Sequence, residues 1–150
     1  MQAARIHAFG GPEVLHMEET PLPKPQPDEL LVRIHAAGVN PVDWKIREGH
    51  LGQGPLPQIL GSDFSGVVEL AGSAVKDFRT GDAVFGTVAD ESGSYADYAV
   101  AKATAVARKP LSLDDLHAAA LPVASLTAWQ GLFDHGHLQS GQRVLIHAAA

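Results

Sequence analysis

The chain has 150 residues, 45% of them hydrophobic and 19% charged, with a formal net charge of -6 and a pI near 5.7. That length fits one ordinary domain, or one domain and the beginning of another, and the apolar fraction is ample for a core. The acidic balance, without any Lys/Arg-rich run, argues against a nucleic-acid partner, no apolar stretch approaches the roughly 20 residues that cross a bilayer, and the absence of cysteine removes disulfides and thiolate metal sites.

The N-terminus M-Q-A-A-R-I-H-A-F-G-G-P lacks the apolar segment of a signal peptide, which makes a cytoplasmic location the expectation. Arg5 to Phe9 reads as a short strand, G-G-P at 10 to 12 as a turn, and Val14 to Met17 as a return strand. P-L-P-K-P-Q-P at 21 to 27 forces an extended loop. Leu30 to Ala37 is a strand, with Leu30, Val32 and Ile34 on one face and Arg33 and His35 on the other. Further strands are expected over Gly66 to Leu70, Ala83 to Val88, Tyr95 to Val100 and Ala105 to Arg108, punctuated by R-T-G-D at 79 to 82 and D-E-S-G-S at 90 to 94. Short strands at this spacing suggest a small barrel.

After Pro110 the character changes. Ser112, with Asp115 three residues on, predicts a capped helix over Leu113 to Leu121, and Pro122 opens a second helix over Val123 to Phe133. D-H-G-H at 134 to 137 is a loop and Q-S-G at 139 to 141 a turn. R-V-L-I-H-A-A-A at 143 to 150 begins as a continuous apolar run, the mark of a strand buried on both faces in a parallel sheet.

One junction carries most of the chemical interest. In A-A-G-V-N-P-V-D-W-K-I-R-E-G, residues 36 to 49, an apolar strand turns into a polar, helix-like segment at Asn40. Asn40 suits an N-cap, Pro41 the first helical position, and Asp43 the third. An amide oxygen can cap while its NH2 points into a cleft, so a helix start and a site role are compatible. At about 100° per residue, Val42 and Ile46 face the barrel, Asp43 and Arg47 share a flank as an expected ion pair, and Lys45 falls at the edge of the buried face. Lys45 either extends to solvent or enters the cleft. Trp44 either packs at a surface edge or lines that cleft, and Thr127, within a helix, is expected to bond the backbone four residues back.

The stretches 36 to 49, L-G-S-D-F-S-G-V-V at 60 to 68, F-R-T-G-D-A-V at 78 to 84, G-S-Y-A-D-Y at 93 to 98, A-S-L-T-A-W at 124 to 129 and V-L-I-H-A-A-A at 144 to 150 run through almost the whole chain. Together they resemble, in order, the N-terminal half of the medium-chain dehydrogenase/reductase superfamily, nearest to its zinc-independent quinone oxidoreductases and enone reductases. The resemblance implies a partly open GroES-like β-barrel over 1–121, then a hinge helix and the first strand of a Rossmann-type α/β domain over 122–150. The glycine-rich turn for the cofactor pyrophosphate would follow that strand. The whole enzyme would be about twice as long, and the 150-residue chain inactive alone.

The same resemblance implies a cofactor, NADP(H) rather than NAD(H), and a small quinone or enone substrate in a homodimer. It places Asn40 and Thr127 beside the nicotinamide and Asn40 and Lys45 in the catalytic role; Asp63, where the family has Glu, is expected to cap a turn or to line a polar cleft beside substrate with Trp44, not to act as an acid or base. Zinc-dependent relatives carry a cysteine where Asn40 stands and a His-Glu pair where Ser62-Asp63 stands, so no metal is expected. Hydride addition to such acceptors builds charge on oxygen, which needs donors placed in advance. Two other readings stand beside it: a non-catalytic GroES-like binding or assembly module, and a zinc-type alcohol dehydrogenase relative with substituted ligands.

Overall fold

The computed structural model describes residues 1–51, 54–89 and 92–147. Eight strands form two antiparallel sheets: β1 (Gln2–Ile6), β2 (Leu15–Glu19) and β4 (Gln58–Ile59) in the order β2-β1-β4, and β3 (Glu29–Ala37), β5 (Asp63–Ala71), β6 (Ala83–Thr87), β7 (Tyr98–Lys102) and β8 (Val106–Arg108) in the order β7-β3-β5-β6-β8. The larger sheet curls into a half-barrel, with two register shifts in the β3–β5 pair, at Leu31/Val32 and Ile34/Ala36. Such bulges bend a strand and increase its twist. The bridge between Ala3 and Ala96 ties the small sheet to the loop before β7.

Alternation in β3 puts Leu30 and Val32 into the core with Phe64, Val68, Val84 and Ala101, with Ile34 packed against them. Leu31, on the opposite face of β3, packs into a second cluster with Ala89 and Val100. Among the described residues three α-helices complete the fold: α1 (Pro41–Arg47), α2 (Asp115–Ala119) and α3 (Pro122–Trp129), the last running on into a π-helical turn at Gln130–His135. Ser65, fully buried, donates to the Asp115 carbonyl at 2.7 Å and fastens α2 to the barrel. Among the described residues no helix is long and apolar enough to cross a membrane.

Several expected boundaries move, each for a local reason. The first strand lies over 2–6 rather than 5–9, because Gly10 is engaged elsewhere: its N–H donates to the Arg47 carbonyl and its carbonyl accepts from Arg47 Nε. The expected Tyr95–Val100 strand begins at Tyr98, since Tyr95 donates its N–H to the Leu60 carbonyl and accepts from Ala4 N–H. Helix α2 is capped by Asp114, whose carboxylate accepts the His117 N–H at 2.8 Å, and not by Ser112, which lies in the turn closed by Leu113 N–H on the Pro110 carbonyl. The apolar run expected as a strand over 143–150 forms no ladder over 143–147, and 148–150 lie outside the described residues. Val144, Leu145 and Ile146 stand 52%, 79% and 57% exposed. A strand exists through its neighbours, and among the described residues no strand pairs with this segment. Residues 90 and 91 of the expected 90 to 94 turn are likewise outside the described residues.

Candidate functional site

Asn40 stands where β3 has ended and α1 begins. Its backbone is extended (φ -117°, ψ 156°), Pro41 supplies the first helical residue, and the Asp43 carboxylate accepts the Asn40 N–H at 2.6 Å. The Asn40 carbonyl in turn accepts the Asp43 N–H at 3.0 Å. The helix-start reading of N-P-V-D is therefore correct, with Asp43 reaching back to the cap residue.

The expected Asp43–Arg47 ion pair is absent among the described residues. Asp43 is buried and its Oδ2 takes a second donor, the Tyr95 hydroxyl, at 3.0 Å. Arg47 instead bonds the Gly10 carbonyl and Glu48. Asp43 and Arg47 do share a flank of α1, but each finds other partners: the Tyr95 hydroxyl takes Asp43, and the Gly10 carbonyl holds Arg47, whose side chain is itself only 13% exposed. Burial, and then the charge of Asp43, push the Tyr95 hydroxyl well above its ordinary value, so Tyr95 stays a donor throughout the physiological range.

Asn40 uses its side chain in another direction. Its Nδ2 donates to Asp63 Oδ2 at 2.9 Å, and the other oxygen of Asp63 accepts the Val123 N–H at 3.0 Å, in the first turn of α3. Asp63 is only 1% exposed. Of the two roles expected for it, capping or lining a polar cleft beside substrate, the structure shows a capping one: both of its oxygens are held by protein donors, and it caps α3 from a strand 60 residues away in sequence. Burial pushes the Asp63 carboxyl above the usual range, against the opposing effect of the Asn40 and Val123 hydrogen bonds and with a contribution from the charge of Asp43. The result is one continuous polar chain: Tyr95, Asp43, the Asn40 backbone, the Asn40 amide, Asp63 and the start of α3.

Gly38 makes this approach possible. A Cβ there would stand 2.6 Å from the Ala119 carbonyl oxygen and 2.8 Å from the Asp63 Cβ, and the Gly38 N–H donates to the Asp63 carbonyl at 3.1 Å. Neither Asp63 nor Tyr95 announces its partner in the sequence. Their roles arise from pairings across the barrel, and a buried carboxylate next to a helix N-terminus has no periodic signature.

The remaining expected site residues are arranged differently. Lys45 is exposed and makes no hydrogen bond or ion pair among the described residues; its Nζ lies 5.7 Å from the Trp44 ring centroid, with Trp44 itself 42% exposed. The structure joins these two to each other on the outer face of α1. Thr127 is exposed on α3, one turn beyond Val123 and therefore on the same side as the capped N–H. It makes no hydrogen bond to the backbone four residues back. An apolar recess of about 430 Å³ runs beside the first turns of α3, lined by Phe85, Val106, Leu121, Pro122 and Leu126. Among the described residues, no group of three or more His, Asp or Glu side chains is placed to hold a metal ion. Asn40 Nδ2 is a donor held by a carboxylate, which is hydrogen-bonding chemistry and not a ligand set.

A curled antiparallel half-barrel, with a helix start at its rim bound to a second helix through one buried carboxylate, has the architecture of a GroES-like domain. Residues 26–111 match the alcohol dehydrogenase GroES-like domain, and the chain belongs to that family. It is 40% identical over 152 residues to a quinone oxidoreductase of Pongo abelii, covering 100% of this chain and 46% of that protein. It is 36% identical over 156 residues to an NADPH-dependent alkenal/one oxidoreductase of Arabidopsis chloroplasts, covering 97% of this chain and 40% of that protein. The crystal structure of the Escherichia coli quinone oxidoreductase complexed with NADPH superposes with a TM-score of 0.83 at 32% identity, over 90% of this chain and 41% of that one. The chain thus spans about half the length of the curated relatives it matches.

Proposed function

We propose that this chain is the substrate-side lobe of a zinc-free, NADPH-dependent oxidoreductase that reduces quinones or α,β-unsaturated carbonyls. The observation that carries the reading is the Asn40 amide, anchored through one N–H on Asp63 while the other is without a partner among the described residues. A donor fixed in this way needs no reorganisation when charge develops on an acceptor oxygen. Asn40 would meet that oxygen or the nicotinamide carboxamide, and Thr127, exposed on the helix tied to the same carboxylate, would meet the nicotinamide end of the cofactor. When bound, the cofactor supplies the hydride. Lys45, on the outer face of α1, would reach the acceptor only by leaving the Trp44 ring, which makes it a secondary donor.

The relatives' names and the NADPH complex support the cofactor and acceptor classes. Residues 1–121 would form the substrate lobe, with 122–150 entering the dinucleotide-binding lobe of a cytoplasmic homodimer, and the lobe alone would not turn over. The test is NADPH oxidation with a quinone and with a short-chain enone by the enzyme carrying this lobe, with and without chelator. Chelator-resistant turnover that falls about 100-fold or more in Asn40→Ala is expected, the size seen when one fixed oxyanion donor is lost. Turnover unchanged in Asn40→Ala would refute the assignment, and well-folded enzyme without turnover or dinucleotide binding would return the chain to a binding or assembly role.

A further inference from the structure

An asparagine side chain is nearly symmetric in shape but not in chemistry: one end accepts and the other donates twice. What faces it decides which end points where. At Asn40 the facing group is Asp63 Oδ2, 2.9 Å away, and an ionised carboxylate only accepts. Asp63 in turn cannot rotate. Its Oδ1 is held by the Val123 N–H, its backbone carbonyl by the Gly38 N–H, and the surroundings leave it 1% exposed.

The geometry points to Asp63 as a positioning residue: it fixes the Asn40 amide with NH2 toward the barrel carboxylate and binds that amide and the start of α3 into one rigid unit. This rests on the reading of Asn40 as the donor to the acceptor oxygen, and deepens it. The free Asn40 N–H and the helix carrying Thr127 keep a fixed relation because both are bonded to the same side chain. Asp63 acts through Asn40 and α3, with no contact of its own to substrate.

Asn40 is the sole asparagine of the sequence. Selective ¹⁵N-asparagine labelling of this chain therefore gives a single side-chain NH2 pair, which reports its orientation without any assay of turnover. One proton is bonded to Asp63 and the other is free, so the bonded proton should exchange with water more slowly than its neighbour and lie downfield of its position in free asparagine. In Asp63→Asn the Val123 N–H keeps an oxygen acceptor, but an NH2 now opposes Asn40, and the asymmetry should collapse. A wild-type pair whose two protons exchange equally fast at ordinary amide positions, or a pair unchanged in Asp63→Asn, would overturn the inference. If Asp63→Asn does not fold, the wild-type exchange asymmetry decides alone.

In the enzyme carrying this lobe, Asp63→Asn should lower kcat by about 100-fold, approaching the loss of the donor itself, with KM for NADPH little changed. The Asn40→Ala/Asp63→Asn double variant should be no slower than Asn40→Ala, because the second change acts through a side chain already gone. Multiplying losses would overturn the inference by placing Asp63 on the acceptor. An asymmetric NH2 pair in a chain whose enzyme has no turnover would instead remove the reductase reading and leave the positioning in place.

Discussion

Replacing Tyr95 with phenylalanine removes one hydroxyl and leaves the ring, so its effect isolates the bond to Asp43. That bond is 3.0 Å long and ends on a carboxylate that is 4% exposed, where water cannot easily take the place of the lost donor. Hydrogen bonds to charged groups contribute about 1.5–3 kcal/mol. The Asn40 N–H remains on the same oxygen at 2.6 Å, which favours the lower half of that range, about 1.5–2 kcal/mol. For a chain of this length, at about 2–4 °C per kcal/mol, the melting temperature should fall by about 3–8 °C. Urea unfolding followed by circular dichroism should show a lower midpoint with an unchanged slope. Tyr98→Phe is the control, since its hydroxyl makes no hydrogen bond among the described residues and it packs on Leu31, Ala89 and Val100. A Tyr95→Phe variant within about 0.5 kcal/mol of wild type, the range of ordinary surface changes, would refute the role given to this bond.

Burial raises the Asp63 carboxyl, so the folded chain keeps that proton to higher pH than the unfolded one. The associated stability is fully present below the usual carboxylate value of about 4 and is lost as pH rises through the folded value. Paired urea titrations should therefore show wild type losing ground to Asp63→Asn as pH rises from about 4 toward neutrality; a constant difference would contradict the burial argument. Gly38→Ala should destabilise by about 1–3 kcal/mol, since its Cβ would meet the Ala119 carbonyl and Asp63, and a melting temperature equal to wild type would show that the junction is looser than described. Lys45→Met should leave stability within about 0.5 kcal/mol, as expected of an exposed side chain without a partner; a larger loss by thermal melting would mean that Lys45 is engaged.

The fold was legible wherever a residue's neighbours in sequence determine its conformation. Leu30, Val32 and Ile34 alternate with Arg33 and His35, and β3 lies where that pattern places it; N-P-V-D starts α1 as its capping chemistry requires. The pattern failed where a distant backbone group competes for the same atoms. Gly10 is taken by Arg47, Tyr95 by Leu60 and Ala4, and the expected strands around them shift accordingly. The two-residue strand β4 escaped notice because Gln58 and Ile59 form no periodic stretch and depend on pairing with Arg5 and Ile6. In the site, Asn40 could be singled out because its surroundings in sequence pose a chemical question. Asp43, Asp63 and Tyr95 take their meaning from one another across 52 and 20 residues of chain, and only the folded barrel brings those carboxylates and that hydroxyl together.

The close contact of Gly38, Asp63 and the α2–α3 corner also bears on how such a chain can change over generations. A bulkier residue at 38 displaces the carboxylate at 63; an uncharged residue at 63 frees the amide at 40 to turn over, and a shorter or apolar one also leaves the Val123 N–H without its acceptor. Each single replacement is penalised while its companions stay as they are. The three positions should therefore drift as a linked set, with substitutions at 38, 40 and 63 accumulating together along a lineage or not at all, while Lys45 and Trp44 on the outer face of α1 vary on their own.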